Sequence, residues 1–296
     1  MRTASLFFLI SVVIPHPALP QARRLRPQPL QQRPNLLGTA IVPFKLYHDY
    51  LIVVKGSLGA LDSLNFLVDT GANPTAIDRR LAKKLGLTSE QSGTLTGVNG
   101  SIRVKRMLLP TIRLGPIRAE SLPAVIQDLE PVAVSLGISV DGIIGFDVLS
   151  QSSFAIDYRS KTIVFGAVEP LGLSAPMHSG PPTFTIQLQL QNQPVSLLVD
   201  TGSPNLIFFD CQLPVHEFVT HDIKTLLNSS GLPFQIREVS VSKLRLGVVD
   251  FGVKPALIAD EHVNCGGSLD GVIGPSSLGL KWIAFDFDHL LFRWSR

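Results

Sequence analysis

Tyr50–Val54 and Leu64–Val68 are short runs of apolar and β-branched residues separated by a turn containing Gly, Asp and Ser, and this punctuation predicts a β-hairpin. Phe184–Leu190 and Val195–Val199 repeat the arrangement, with Gln191-Asn192-Gln193-Pro194 as the turn. Helical period is scarce. Ile77, Leu81 and Leu85 recur at every fourth position and predict one helix, closed by Gly86. Glu169–Pro182 holds too many prolines for a strand or helix and is expected to be a connection. The pattern therefore predicts a chain built mostly of strands.

The pattern is also written twice. Asn65–Asn73 reads NFLVDTGAN and Ser196–Asn205 reads SLLVDTGSPN; later, Asp141–Leu149 reads DGIIGFDVL and Asp270–Leu278 reads DGVIGPSSL. Each of the later segments is followed by a run expected to form an apolar strand with a central acid, FAIDYRSKTIVF from Phe154 and IAFDFDHLLFRW from Ile283. Asp69 and Asp200 lie 131 residues apart, while Gly145 and Gly274, and Asp157 and Asp286, both lie 129 apart. A single Asp-Thr-Gly is most often an ordinary turn, but three ordered markers at one offset indicate two copies of one folding unit.

Composition narrows the function. The 296 residues are 45% hydrophobic, enough to bury a sizeable core, and the formal charge is +3. Arg23, Arg24, Arg26 and Arg33 crowd one stretch and account for that excess; no basic stripe with interleaved aromatics follows, so nucleic acid is not an expected partner. Met1-Arg2, the apolar run Leu6–Ile14 and Pro15, Pro17 and Pro20 predict an export signal over residues 1–22, whose apolar run is too short to span a bilayer. Residues 23–36 are expected to be an extended Pro/Arg/Gln-rich linker. An exported protein, periplasmic, envelope-associated or extracellular, is the corresponding expectation. Cys211 and Cys265 either pair, closing a loop of about 50 residues within the second copy, or remain two buried thiols. No GxSxG, HExxH, GxxxxGK or helix-opening GxGxxG is present, and the seven histidines show no ligand spacing, so no metal and no cofactor are expected.

From about Leu37 to Arg296 the chain resembles the aspartic protease family, in its two-copy layout the pepsin-type enzymes, and in its short units and Asp-Thr-Gly-Ala the retropepsin-like units fused in tandem. The resemblance implies an all-β fold of two homologous, closed-barrel-like lobes over residues 37–168 and 183–296, joined by 169–182, with a cleft between them. It implies catalytic roles for Asp69 and Asp200, loop-tying roles for Thr70 and Thr201, and tight turns at Gly71 and Gly202. It also implies that a second signature, Gly142 and Gly145 in one copy and Gly271 and Gly274 in the other, packs around each active loop. Thr94–Val104 is the expected flap, with Val98, Asn99 and Gly100 at its tip, although it lacks the tyrosine of pepsin-type flaps. Ser203 stands where the first copy has Ala72, so a hydroxyl is expected beside one aspartate only, an asymmetry expected to raise the working pH.

The chemistry explains the spelling. Water attacks an amide when one group takes its proton while another protonates the carbonyl oxygen, and two carboxyls sharing one proton do both. The expected function is aspartic endopeptidase action on an extended polypeptide by a monomer, since one chain supplies both aspartates. The competing reading is a catalytically silent, protease-like module that binds peptides in the cell envelope.

Overall fold

A computed structural model describes residues 39–88, 91–97, 100–180, 183–209, 218–227, 233–259 and 269–296. Strands dominate them, with short α-helices at Arg79–Lys84, Glu130–Leu136 and Phe146–Leu149 and a 3₁₀ turn at Pro275–Leu278. No helix among the described residues is long and apolar enough to cross a membrane.

The pairings form three groups. In the first copy, Leu51–Leu58 runs antiparallel to Leu61–Val68, and Gly142–Ile144 inserts parallel to Phe66–Val68 and antiparallel to Ala76-Ile77. In the second, Thr183–Leu190 pairs with Gln193–Val199, and Gly271–Ile273 inserts parallel to Leu197–Val199 and antiparallel to Leu206–Phe208. Phe66–Val68, Leu197–Val199 and the two inserted strands are buried at every position because both faces are covered, whereas Ile186–Leu190 alternates buried and exposed residues. Each copy adds a long hairpin: Gln91–Gly97 with Gly100–Leu109, and Thr220–Leu227 with Pro233–Val241.

The third group joins the copies. Its order is Ala40–Tyr47, Thr162–Phe165, Phe154–Asp157, Trp282–Asp286, Leu291–Ser295 and Leu173–Gly180, all antiparallel. At its centre Phe154 faces Phe285 and Ile156 faces Ile283. The rings of Phe154 and Phe285 stack at 4.9 Å between centroids, and Phe146 and Phe287 pack around them. Aromatic pairs of this kind add about 0.5–1.5 kcal/mol beyond the area they bury.

Three expectations need correction. Leu173–Gly180, read as part of a proline-rich connection, is a strand. It pairs with Leu291–Ser295 as far as Pro176 and with Thr183–Leu190 from Met177 onward, so the proline has one neighbour and costs no ladder bond on a second side. The apolar runs after the second signatures are hairpins, because their acids end the first strand of each. Asp157 Oδ1 accepts the N–H groups of Arg159 (2.8 Å) and Ser160 (3.3 Å), and Asp286 Oδ1 accepts that of His289 (3.2 Å). The helix after the first Asp-Thr-Gly begins later than its period suggests: Ile77 belongs to a strand, Asp78 caps the helix by accepting the Arg80 N–H at 2.8 Å, and Gly86 ends it at φ +63°.

Candidate active site

Each Asp-Thr-Gly segment turns where one strand hands over to the next, directly above the inserted strand. Ile144 O accepts the Asp69 N–H and Ile273 O accepts the Asp200 N–H, both at 3.0 Å. The inserted strands are anchored at their other ends by acids the sequence reading left without a role. Asp141 accepts the Asn65 N–H at 2.8 Å, and Asp270 accepts the Ser196 N–H at 2.7 Å.

The two turns meet. Thr70 N–H donates to Thr201 Oγ1 and Thr201 N–H donates to Thr70 Oγ1, each at 3.1 Å. The hydroxyls then donate onward, Thr70 to Val199 O at 2.7 Å and Thr201 to Val68 O at 3.0 Å, all in buried surroundings. Thr70→Val would strip Val199 O of its donor and the Thr201 N–H of its acceptor at one stroke. An unpaired buried group costs about 1–3 kcal/mol, so a loss of roughly 3 kcal/mol is expected in urea unfolding; an unchanged midpoint would contradict this arrangement.

Gly71 and Gly202 sit against the opposite carboxyls. A Cβ on Gly71 would lie 2.5 Å from Asp200 Cγ, and one on Gly202 would lie 2.7 Å from Asp69 Oδ2. Only glycine permits this approach. The second-signature glycines pack against the same turns. A Cβ on Gly145 would lie 2.7 Å from Ala72 O, and one on Gly274 would lie 2.0 Å from Ser203 O. Gly142 and Gly271 lie beneath, against Ala76 O and Ile207 O.

Asp69 and Asp200 are fully buried. Asp69 Oδ1 accepts the N–H groups of Gly71 (2.8 Å) and Ala72 (3.1 Å), and Asp200 Oδ1 accepts that of Gly202 at 2.7 Å. The Oδ2 atoms receive no other hydrogen bond from the described residues. The two carboxyls are brought together by the turns, each against the opposite glycine, and the charge of Asp200 acts on Asp69. Burial and the charge of Asp200 push Asp69 well above the usual carboxylate range, and burial pushes Asp200 up to about 6. The pair thus retains one proton after isolated carboxyls would have lost theirs.

Other sequence expectations resolve unevenly. Ser203 Oγ accepts the Asn205 N–H at 3.2 Å and faces Asn205 O at 3.5 Å, with no hydroxyl bond to Asp200, so the asymmetry expected from Ala72 and Ser203 is not realised through that group. A Ser two residues before a backbone N–H closes its own local turn in preference. Gly100 pairs with Gly97 at the end of the first long hairpin, while Val98 and Asn99 lie outside the described residues. Cys211 and Cys265 also lie outside them. Sequence reading missed the equivalent hairpin of the second copy, because its turn lacks an Asn-Gly signal. It also missed Tyr50, which precedes the strand lying beside Val68 and whose phenol is pushed up to about 12 by burial and the nearby Asp200 charge.

No curated protein matches the chain. Residues 54–148, which hold Asp69, its loop and the Gly145 turn, match the family described as aspartyl protease, and through that segment the chain carries an aspartyl protease domain.

Proposed function

We propose that this protein is an aspartic endopeptidase in which Asp69 and Asp200 jointly activate water against a peptide bond. The observation that carries the reading is the pair of buried carboxyls brought together by the two turns, each with an Oδ1 held by backbone N–H groups and each against the opposite glycine. In the singly protonated pair, the charged carboxylate takes a proton from water as the neutral partner protonates the carbonyl oxygen. The roles then exchange, water being the nucleophile, so no covalent intermediate forms. Residues 37–168 and 183–296 serve as the two lobes, and the long hairpins Gln91–Leu109 and Thr220–Val241 flank the substrate, an extended polypeptide. A monomer suffices, and the apolar run Leu6–Ile14 supports an exported location.

The working state exists between loss of the first and second proton. With both carboxyls raised by burial, activity is expected to peak between about pH 4 and about pH 7 and to fall as pH rises and the second proton leaves. Mass-spectrometric mapping of cuts in an unfolded protein mixture, from about pH 3 to about pH 8, with and without pepstatin, tests both points. A maximum well below about pH 4 would contradict the raised pair. Silence across the range by folded protein would replace the enzyme with the peptide-binding module.

A further inference from the structure

The first active loop is tied down by a group that the mechanism does not use. Asp147, in the second turn of the signature, accepts three hydrogen bonds: Oδ1 from the Thr75 hydroxyl at 2.6 Å and from the Val148 N–H at 3.0 Å, and Oδ2 from the Thr75 N–H at 2.9 Å. The Thr75 hydroxyl in turn accepts the Gly145 N–H at 3.0 Å, and Ala72 O accepts the Phe146 N–H at 2.7 Å. Thr75 closes the loop whose Gly71 and Ala72 N–H groups hold Asp69. Among the described residues the second copy has no acid in this place, and its Gly274 N–H is taken by Asn205 O at 2.8 Å instead of by a hydroxyl. Ser276 occupies the corresponding place, and its hydroxyl donates to Pro204 O at 3.3 Å on the surface.

We propose that Asp147 is a positioning residue, its charged carboxylate holding the 71–75 loop, and with it Asp69, in working geometry, and releasing that hold when it takes up a proton. This rests on the two-aspartate reading above. The hydrogen-bond count explains why charge matters. A proton on Oδ2 would oppose the Thr75 N–H, donor against donor; a proton on Oδ1 would compete with the hydroxyl proton of Thr75, whose oxygen already accepts from Gly145. In the second case the Thr75 hydroxyl turns from donor to acceptor on its remaining lone pair and its own proton loses its partner, so either way the donor–acceptor match that holds Thr75 is broken beside the loop. Burial pushes the Asp147 carboxyl upward, which brings the change closer to the acid side of the working range. No charged side chain faces it at close range: Thr75, Gly145 and Val148 are its neighbours, and of the elements packed on its helix Gly142–Ile144 is uncharged. Trp282–Asp286, reached through Phe146 and Phe285, carries Asp286, which is paired with His289 and Arg293. Ile117–Ala119, also packed there, carries Arg118, whose guanidinium is paired with Glu120 at the surface.

Asp147→Asn imitates the neutral state at every pH, because its amide must present a donor to one of the three donors. At the wild-type optimum its kcat is expected to fall roughly tenfold with KM little changed. Wild type should converge on the variant as pH is lowered. Hydrogen exchange supplies a readout independent of catalysis: residues 69–77 should lose protection in Asp147→Asn, and in wild type as pH falls, while residues 200–207 do not. Unchanged protection and kcat would overturn the proposal, as would a uniform loss with no pH convergence, which marks plain structural support. If Asp147→Asn does not fold, Thr75→Ser and Thr75→Val carry the test, the first expected to behave as wild type and the second as the neutral state; equal behaviour of the two would overturn it. If exchange responds as stated while no peptide is cut by wild type, the peptidase reading fails and the positioning role stands.

Discussion

Asp69→Asn and Asp200→Asn are each expected to lower peptide hydrolysis by roughly 10³-fold or more and, at neutral pH, to make the protein more stable. In the proposed mechanism the first effect follows from losing one of its two proton-transfer groups. The second follows from linkage. A carboxyl whose folded-state pKa is raised binds more protons folded than unfolded, so its contribution to stability declines as pH rises from the unfolded value through the folded one. Both carboxyls are raised, so the folded state is disfavoured above their titration. An asparagine at 69 keeps an oxygen for the Gly71 and Ala72 N–H groups and offers its amide to Asp200, relieving that strain. A gain on the order of 1–3 kcal/mol near neutral pH is expected, shrinking as pH approaches about 4. Thermal unfolding of wild type and variants at the two pH values checks it. Full activity in either variant would remove the two-aspartate mechanism, and a stability gap independent of pH would remove the linkage argument.

Gly71→Ala is expected to cost both stability and hydrolysis through a single added methyl group. Its Cβ would stand 2.5 Å from Asp200 Cγ and within 2.8 Å of both carboxylate oxygens. The carboxyl has nowhere to retreat, being fully buried and held by the Gly202 N–H at 2.7 Å. The loop cannot retreat without pulling Thr70 from Thr201. Overpacking commonly costs about 1–3 kcal/mol, and with the threonine exchange also disturbed a loss of more than about 3 kcal/mol is expected, together with loss of hydrolysis. Gly202→Ala should behave alike, since its contact with Asp69 is reciprocal. A soluble Gly71→Ala protein with the wild-type unfolding midpoint would show that the two turns are farther apart than described.

The parts of this architecture visible in sequence are those that each copy repeats. Asp-Thr-Gly, the paired Gly-x-x-Gly signatures and the constant offset located both turns and the glycines packed on them, because these positions tolerate one residue type and therefore spell the same word twice. Features belonging to one copy, or arising from three-dimensional encounter, left no such trace. Asp147 and Thr75 are 72 residues apart, and neither residue type is unusual on its own. The strand Leu173–Gly180 was hidden by its prolines, whose missing N–H is harmless only because of where the strand changes neighbours. Ser203 misled in the other direction: a hydroxyl next to the motif suggested a bond to Asp200, yet local geometry turned it toward Asn205.

The central pairing of Phe154–Asp157 with Trp282–Asp286 places the local two-fold inside one polypeptide instead of between identical subunits. In a homodimer every residue near the axis serves twice, and any change is made on both sides at once. Here Phe146-Asp147 on one side answers to Pro275-Ser276 on the other, and an α-helical turn answers to a 3₁₀ turn. In the proposed peptidase, an extended chain lying across this seam would therefore meet unlike walls before and after the crossing. Its two directions are physically distinguishable, and orientation becomes a property that selection can set one half at a time.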